Sequence, residues 1–349
     1  MKSIQFSDYS APLLSSAKDT PAPQGKEVLI KIDACGVCHS DVHLWEGFFD
    51  MGDGKKADLS AGRSLPFTLG HEIVGEVVAI GEGVKDASIG DRRVVFPWMG
   101  CGSCSICTAG DEHLCNQPQA LGINVDGGYS EYVMVPHPRY LFDYGDIQPT
   151  LACTYACSGL TAYSALAKVK QAADRRSLLI IGAGGVGLAA LAIAQCLVDA
   201  EIIVADIDQT KRETAKAAGA DHVVDPRDRE ARKQIAKLTD GGTSAAVDFV
   251  GSADSSKFGV AVLGKGATLV IVGLFGGSLN ISVPLFPLKT ITVMGSYVGS
   301  LSEMRELMAL ARAGKVTPIP VEPRPLDQAN AALEELRQGN IVGRVVLRP

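Results

Sequence analysis

Six residues, Gly182-Ala183-Gly184-Gly185-Val186-Gly187, constrain this chain more than any others. They follow the unbroken apolar run Leu178-Leu179-Ile180-Ile181 and lead into a helical stretch from Val186 to Leu197. A strand apolar on both faces is one covered on both faces, as in a parallel sheet. Glu201 to Asp206 reads as the next strand, followed by a helix near Thr210 to Ala218, a short strand at His222 to Val224 and a helix from Asp228 to Leu238. Strands at Ala246 to Val250, Ala267 to Val272 and Ile291 to Met294 complete the alternation. Such repetition predicts a doubly wound parallel sheet of the α/β class.

Between a strand and a helix, each glycine of the turn has a use. Gly182 permits the tight turn, Gly184 lets backbone approach a phosphate, and Gly187 lets helix and strand pack closely. The N–H groups at Gly185 and Val186 then face an anion with the positive end of the helix dipole behind them. A glycine pattern alone is a weak sign of a dinucleotide. Here Asp206 ends the second strand, 19 residues after Gly187, where a carboxylate can accept bonds from adenosine ribose hydroxyls. Its charge would repel a 2′-phosphate, so NAD is expected over NADP, with Lys211 and Arg212 close enough to soften the preference.

A chain of 349 residues is long for one core, so two domains are expected. Before about Pro136 the pattern is β-rich, with strand-like runs at Glu27 to Ile32, Glu72 to Val78 and Tyr129 to Val135. From His43 to Pro66 lies a long polar loop, either a substrate entrance or a surface excursion. The period changes after roughly Ala156. From Leu301 the tail reads as helix (Met304 to Ala313), helix (Leu326 to Gln338) and strand (Gly343 to Leu347), not necessarily part of the parallel sheet. No internal repeat or low-complexity tract stands out.

A formal net charge of -6 with scattered Lys and Arg offers no basic field for nucleic acid. The longest apolar stretch, Ser177 to Leu197, is broken by four glycines and Gln195, which argues against a membrane span. The N-terminus has no apolar run of the secretory kind, so nine cysteines suggest a reducing, cytoplasmic setting in which thiolates bind metal.

Four of those cysteines, Cys101, Cys104, Cys107 and Cys115, fall within fifteen residues, with Gly100, Gly102 and Gly110 to fold the loop back. Four sulfurs with no open position describe a structural zinc. An iron–sulfur cluster also takes four thiolates, but the last spacing departs from ferredoxin-type runs. A second group, Cys38, His39, Asp41, His43, His71 and Glu72, offers sulfur, imidazole and carboxylate from two segments, material for a metal site that keeps one position open.

The runs Gly36-Val37-Cys38-His39-Ser40-Asp41-Val42-His43 and Gly70-His71-Glu72, the cysteine lobe and the glycine turn occur in the order found in zinc-dependent medium-chain alcohol dehydrogenases. The chain resembles that family along essentially its whole length, most closely its NAD-dependent, tetrameric bacterial and archaeal branch, through Leu121-Gly122-Ile123-Asn124 and Val272-Gly273-Leu274-Phe275-Gly276 as well. The resemblance implies a GroES-like β-rich catalytic domain (residues 1–156 and 297–349, its zinc lobe near 97–116) and a Rossmann NAD-binding domain (157–296). It also implies two zinc ions per chain, NAD as cofactor, and a homotetramer or dimer joined near Ile291 to Met294.

By position, the resemblance makes Cys38, His71 and Cys157 the catalytic zinc ligands, with Cys153 a competing candidate for the third. Glu72 matches a carboxylate that can approach the metal, and Asp41 the group that orients the histidine. Ser40 matches the hydroxyl that takes the alcohol proton and passes it through the cofactor ribose to His43, whose ordinary pKa near 6.5 suits exchange with solvent. His39 and Arg344 match residues set against the pyrophosphate, and Val272 and Leu274 a segment beneath the nicotinamide. The metal would lower the alcohol's pKa so that an alkoxide forms near neutral pH and yields hydride to NAD. Trp45 and Trp98 are placed near the substrate channel, with aromatic core packing the alternative for each. Ala120 stands where some relatives carry a large aromatic, so a medium-sized primary or secondary alcohol is expected. A zinc-dependent polyol or amino-alcohol dehydrogenase of the same superfamily is the alternative, and a non-catalytic zinc- or redox-sensing protein the alternative of another class.

Overall fold

The computed structural model describes residues 1–61, 63–174 and 176–349, which divide into two compact units. The first comprises Met1–Phe48, Asp58–Leu160 and Val298–Pro349, and the second Phe49–Ala57 and Thr161–Tyr297.

Six parallel strands make up the sheet of the second unit. Their order is His222–Val224, Ala200–Ala205, Arg176–Ile181, Thr243–Asp248, Leu263–Ile271 and Thr292–Gly295. In chain order that is 3-2-1-4-5-6, the doubly wound arrangement with its switch point between the first and fourth strands. Leu179, Ile203, Ala246 and Leu269 are fully buried with Phe258 and Ile235 packed against them. Their neighbours Leu178, Ile180, Ile202 and Val204, which point to the opposite face, are buried as well, so the continuous apolar runs have both faces covered. The observed boundaries lie within a few residues of those expected, the fourth and fifth strands beginning earlier at Thr243 and Leu263.

In the first unit the central strand Val28–Gly36 pairs antiparallel with Glu72–Ile80, Tyr132–Val135 and Arg344–Arg348. The tail strand thus belongs to this sheet, and Val321–Pro325 lies beside it. Gly36 stands opposite both Glu72 and Val346. The segments before Glu72 and after Gly36, and the start of the tail strand, all emerge at one end of the sheet. A Cβ on Gly36 would sit 2.0 Å from Glu72 Oε2, so this close approach needs glycine.

The polar stretch after His43 is more ordered than expected. Phe48–Gly52 and Lys55–Asp58 form a two-stranded hairpin. Its turn is Asp53-Gly54, with φ of 53° and 74°, a pairing that suits the twist of a two-residue hairpin loop. The signal was present in the Asp-Gly pair but masked by the polarity of its flanks. No helix among the described residues is long and apolar enough to cross a membrane.

Candidate active site and metal centres

The strand register brings three ligating side chains together. The ligand atoms of Cys38, His71 and Cys157 all lie within 4.8 Å of one another, and the three residues are buried. Cys38 caps the helix His39–Glu46, whose Asp41 closes the cap by accepting the Cys38 N–H at 2.9 Å. His71 comes from the turn before Glu72–Ile80, and Cys157 from the start of the helix Ser158–Ala173. Cys153 stands apart from the group, its thiol donating to the Thr150 carbonyl oxygen at 3.3 Å.

Asp41 is wholly buried and orients the site. His71 Nδ1 lies 3.2 Å from its Oδ1, and its Oδ2 accepts from the Tyr129 hydroxyl at 3.0 Å. With Nδ1 3.2 Å from the Asp41 carboxylate, Nε2 is the nitrogen left for the sulfurs, and neither ring nitrogen makes a well-formed hydrogen bond. A buried ring nitrogen without a partner, beside two thiols, is a donor arranged for a cation. Burial pulls the His71 pKa down, but the Asp41 carboxylate and the Cys38 thiolate outweigh it and hold the pKa well above the usual value. The Cys157 thiol donates to Cys38, which lowers the Cys38 pKa well below that of a free thiol. The same bond, together with burial, raises the Cys157 pKa. The pair shares one proton, which a dication would displace.

Glu72 is also fully buried, and burial raises its pKa against the opposing pull of Arg344. Arg344 Nη2 stands 2.5 Å from Glu72 Oε1, which also accepts the Ser158 N–H at 3.1 Å. Arg344, expected against a pyrophosphate, is thus only 4% exposed and paired with the carboxylate expected to approach the metal.

Ser40 and His43 lie three residues apart on the helix His39–Glu46, hence on one face. The His39 and His43 rings are 5.1 Å apart. Burial, and then the neighbouring His39 charge, depress the His43 pKa to about 4. This corrects the expectation of an ordinary value. The fold therefore favours the neutral imidazole at physiological pH and disfavours its protonation. Trp98 is buried with its ring 5.3 Å from that of His71, its N–H donating to the Ala156 carbonyl oxygen at 2.9 Å. Trp45 donates to Ala11 O at 2.6 Å. Ala120 is buried in a turn where its N–H donates to Asn124 Oδ1 at 3.2 Å.

In the cysteine lobe the Sγ–Sγ distances for Cys104–Cys107, Cys104–Cys115 and Cys101–Cys107 are 3.5, 3.8 and 3.9 Å. A tetrahedron with zinc–sulfur bonds of about 2.3 Å has edges of about 3.8 Å, so the four thiols fit that ion. Sequence reading missed the anchor beneath the lobe. The Tyr140 hydroxyl donates to the buried Glu112 carboxylate at 2.7 Å, and Arg139 lies 3.0 Å from its other oxygen. It also missed Tyr129, which read only as a strand residue.

In the second unit the glycine turn runs from Gly182, with φ of 93°, into the helix Gly185–Leu197. A Cβ on Gly187 would lie 1.8 Å from Gly182 O, so no other residue fits. Gly184, Gly185 and Val186 present their N–H groups at the helix start. Asp206 is half-buried beyond the adjacent strand, its Oδ2 accepting the Ala183 N–H at 2.7 Å and its Oδ1 that of Asp208 at 2.8 Å. The Lys211 N–H is taken by Asp208 at 2.9 Å, and Arg212 Nη1 stands 3.2 Å from Asp225. Val272 and Leu274 follow the strand Leu263–Ile271, Leu274 being exposed.

Residues 24–144 match the alcohol dehydrogenase GroES-like domain and residues 185–313 the zinc-binding dehydrogenase family. The chain is 40% identical over 351 residues to an NAD-dependent alcohol dehydrogenase of Sulfurisphaera tokodaii, covering 100% of both chains. It is 39% identical to the NAD-dependent alcohol dehydrogenase of Saccharolobus solfataricus, again over 100% of each. Its fold matches the crystal structure of the alcohol dehydrogenase from Aeropyrum pernix with a TM-score of 0.90 at 33% identity, covering 100% of both.

The His43 shift gives a testable pH dependence. An unfolded histidine takes its proton near pH 6.5, whereas His43 in the fold resists it down to about 4. Stability is therefore full above 6.5, falls as pH drops from 6.5 towards 4, and levels off below. After discounting for solvent screening, wild type should lose about 1–2 kcal/mol relative to His43→Gln between pH 7.5 and 5. Denaturant unfolding of both proteins across that range measures it. A constant difference would show that the ring titrates normally.

Proposed function

The chain belongs to the zinc-dependent medium-chain alcohol dehydrogenase family, and we propose that it oxidises medium-sized primary or secondary alcohols with NAD and reduces the matching aldehydes or ketones. The observation that carries this reading is the buried Cys38–His71–Cys157 group with His71 Nε2 unpartnered. Residues 1–156 and 297–349 would form the catalytic part and 157–296 the NAD-binding part. A zinc ion held by Cys38, His71 and Cys157 would supply the Lewis acidity that lowers the pKa of an alcohol oxygen. NAD would supply the hydride acceptor.

The chain's own residues do the rest. Asp41 fixes the His71 ring and keeps its donor nitrogen towards the sulfurs. Ser40 would take the substrate proton and His43 would pass it to solvent, the depressed His43 pKa keeping that ring from holding the proton. Gly182, Gly184, Gly185, Val186 and Gly187 seat the pyrophosphate, with His39 and Arg344 as its cationic partners. Arg344 can turn to phosphate only by releasing Glu72, so the roles of those two residues are linked. Asp206 accepts the ribose hydroxyls, Lys211 flanks it, and Val272 and Leu274 underlie the nicotinamide. Trp45, Trp98 and Ala120 bound the substrate, the small Ala120 leaving room for an alicyclic or aromatic group. Cys101, Cys104, Cys107 and Cys115 hold a second, purely structural zinc.

Cysteines at metal-ligand spacing fit a cytoplasmic enzyme. A homotetramer, or a dimer, would form along the outer edge of Thr292–Gly295, beside the exposed Val283 and Leu288. Light scattering at twice or four times the 36.6 kDa chain mass is the expected result, and a monomer at micromolar concentration rejects it.

Substrate range is tested by NADH absorbance with ethanol, benzyl alcohol and cyclohexanol, before and after chelation. Catalytic efficiency should be higher for the larger alcohols, and turnover should vanish once zinc is removed and return when it is restored. Ethanol as the best substrate would overturn the pocket assignment. Asp206→Ala should raise the NADP-to-NAD ratio of kcat/KM by about tenfold or more, the scale of about 1.4 kcal/mol. An unchanged ratio removes Asp206 from the cofactor site.

A further inference from the structure

Asp248 ends the strand Thr243–Asp248 opposite Ile181, the residue that precedes the glycine turn. Its side chain is 0% exposed, yet it meets four donors, all of them neutral. Oδ1 accepts the backbone N–H groups of Val250 at 2.9 Å and Gly251 at 3.0 Å. Oδ2 accepts the hydroxyls of Ser255 at 2.9 Å and Ser256 at 2.8 Å. Its own carbonyl oxygen accepts the N–H groups of Val272 at 2.9 Å and Gly273 at 3.0 Å. One residue therefore ties the 249–251 loop, the first turns of the helix Ala253–Val262 and the 272–273 segment to a single point.

Those segments touch the glycine turn. Val250 Cγ2 lies 2.8 Å from where a Gly182 Cβ would be, and a Cβ on Gly251 would lie 1.7 Å from Gly273 O. The loop is thus packed between the turn and the 272–273 segment with no slack. We infer that Asp248 is a positioning residue for NAD, fixing through Val250 and Gly251 the wall opposite Asp206. This rests on the NAD reading above. The two oxygens divide the work, Oδ1 holding the loop and Oδ2 the helix. An asparagine keeps the loop bonds, because its amide oxygen can still accept from Val250 and Gly251 while the serine hydroxyls rotate to accept from its NH₂. An alanine leaves both buried N–H groups without an acceptor and frees the loop.

The test is titration of NADH fluorescence into zinc-loaded wild type, Asp248→Asn and Asp248→Ala, with zinc content and Tm measured in parallel. Asp248→Ala should raise the NADH Kd and the KM for NAD by at least about tenfold, while kcat and the alcohol KM change less than about threefold. Asp248→Asn should stay within about threefold of wild type. If the alanine variant does not fold, Asp248→Val, which removes both acceptor oxygens but fills more of the space than alanine, is judged by the same thresholds. A loss of Tm with unaltered NADH affinity, or equal affinity losses for asparagine and alanine, would overturn the proposal. A wild type that binds no NADH would instead reject the NAD reading itself.

Discussion

The register between Val28–Gly36 and Glu72–Ile80 is the constraint on which the first unit depends. With Gly36 opposite Glu72, Cys38 and His71 leave adjacent strands at the same level, and Val346 opposite Gly36 brings Arg344 to that level too. A slip of one residue would turn Glu72 and Arg344 to opposite faces and part the ligands. Gly36 enforces the fit by leaving room for the Glu72 carboxylate.

Four ionisable residues lie almost wholly buried at that point: Asp41, His71, Glu72 and Arg344. Burying such groups singly is costly, and the structure offsets the cost by pairing them, Asp41 with His71 and Glu72 with Arg344. The thiols of Cys38 and Cys157 complete this buried polar group, their ligand atoms within 4.8 Å of that of His71. The Glu112–Tyr140–Arg139 cluster does a plainer job under the cysteine lobe, since an exposed loop of this kind has little apolar surface to hold it.

Much of this was legible in the chain. The parallel sheet announced itself because doubly covered strands must be continuously apolar, and the glycine turn because backbone contacts such as Gly187 against Gly182 exclude every side chain. The candidate metal-binding residues were legible as residue types, but only the family resemblance joined Cys157 to Cys38 and His71, since nothing local links a helix start to a strand end. What could not be read came from long-range contacts or from burial. Lys2–Phe6 is a strand because it pairs with Leu14–Ala17 and Phe67–Thr68, which its few residues do not advertise. The depressed His43 pKa, the Glu72–Arg344 pair and the Asp248 hub all depend on which groups the fold removes from water. Sequence spacing is silent on that.

The hairpin at Phe48–Asp58 carries one more consequence. Its residues Phe49–Ala57 cluster with Thr161–Tyr297, although the flanking chain on both sides belongs to the other unit. The polypeptide therefore crosses between units four times, and no single cut releases the second unit intact. A fragment spanning only 161–297 would leave the hairpin behind and uncover the Gly276–Ser278 backbone on which Asp50 and Gly52 rest. Anyone dissecting or grafting this unit would have to carry that excursion along by permuting or relinking the chain.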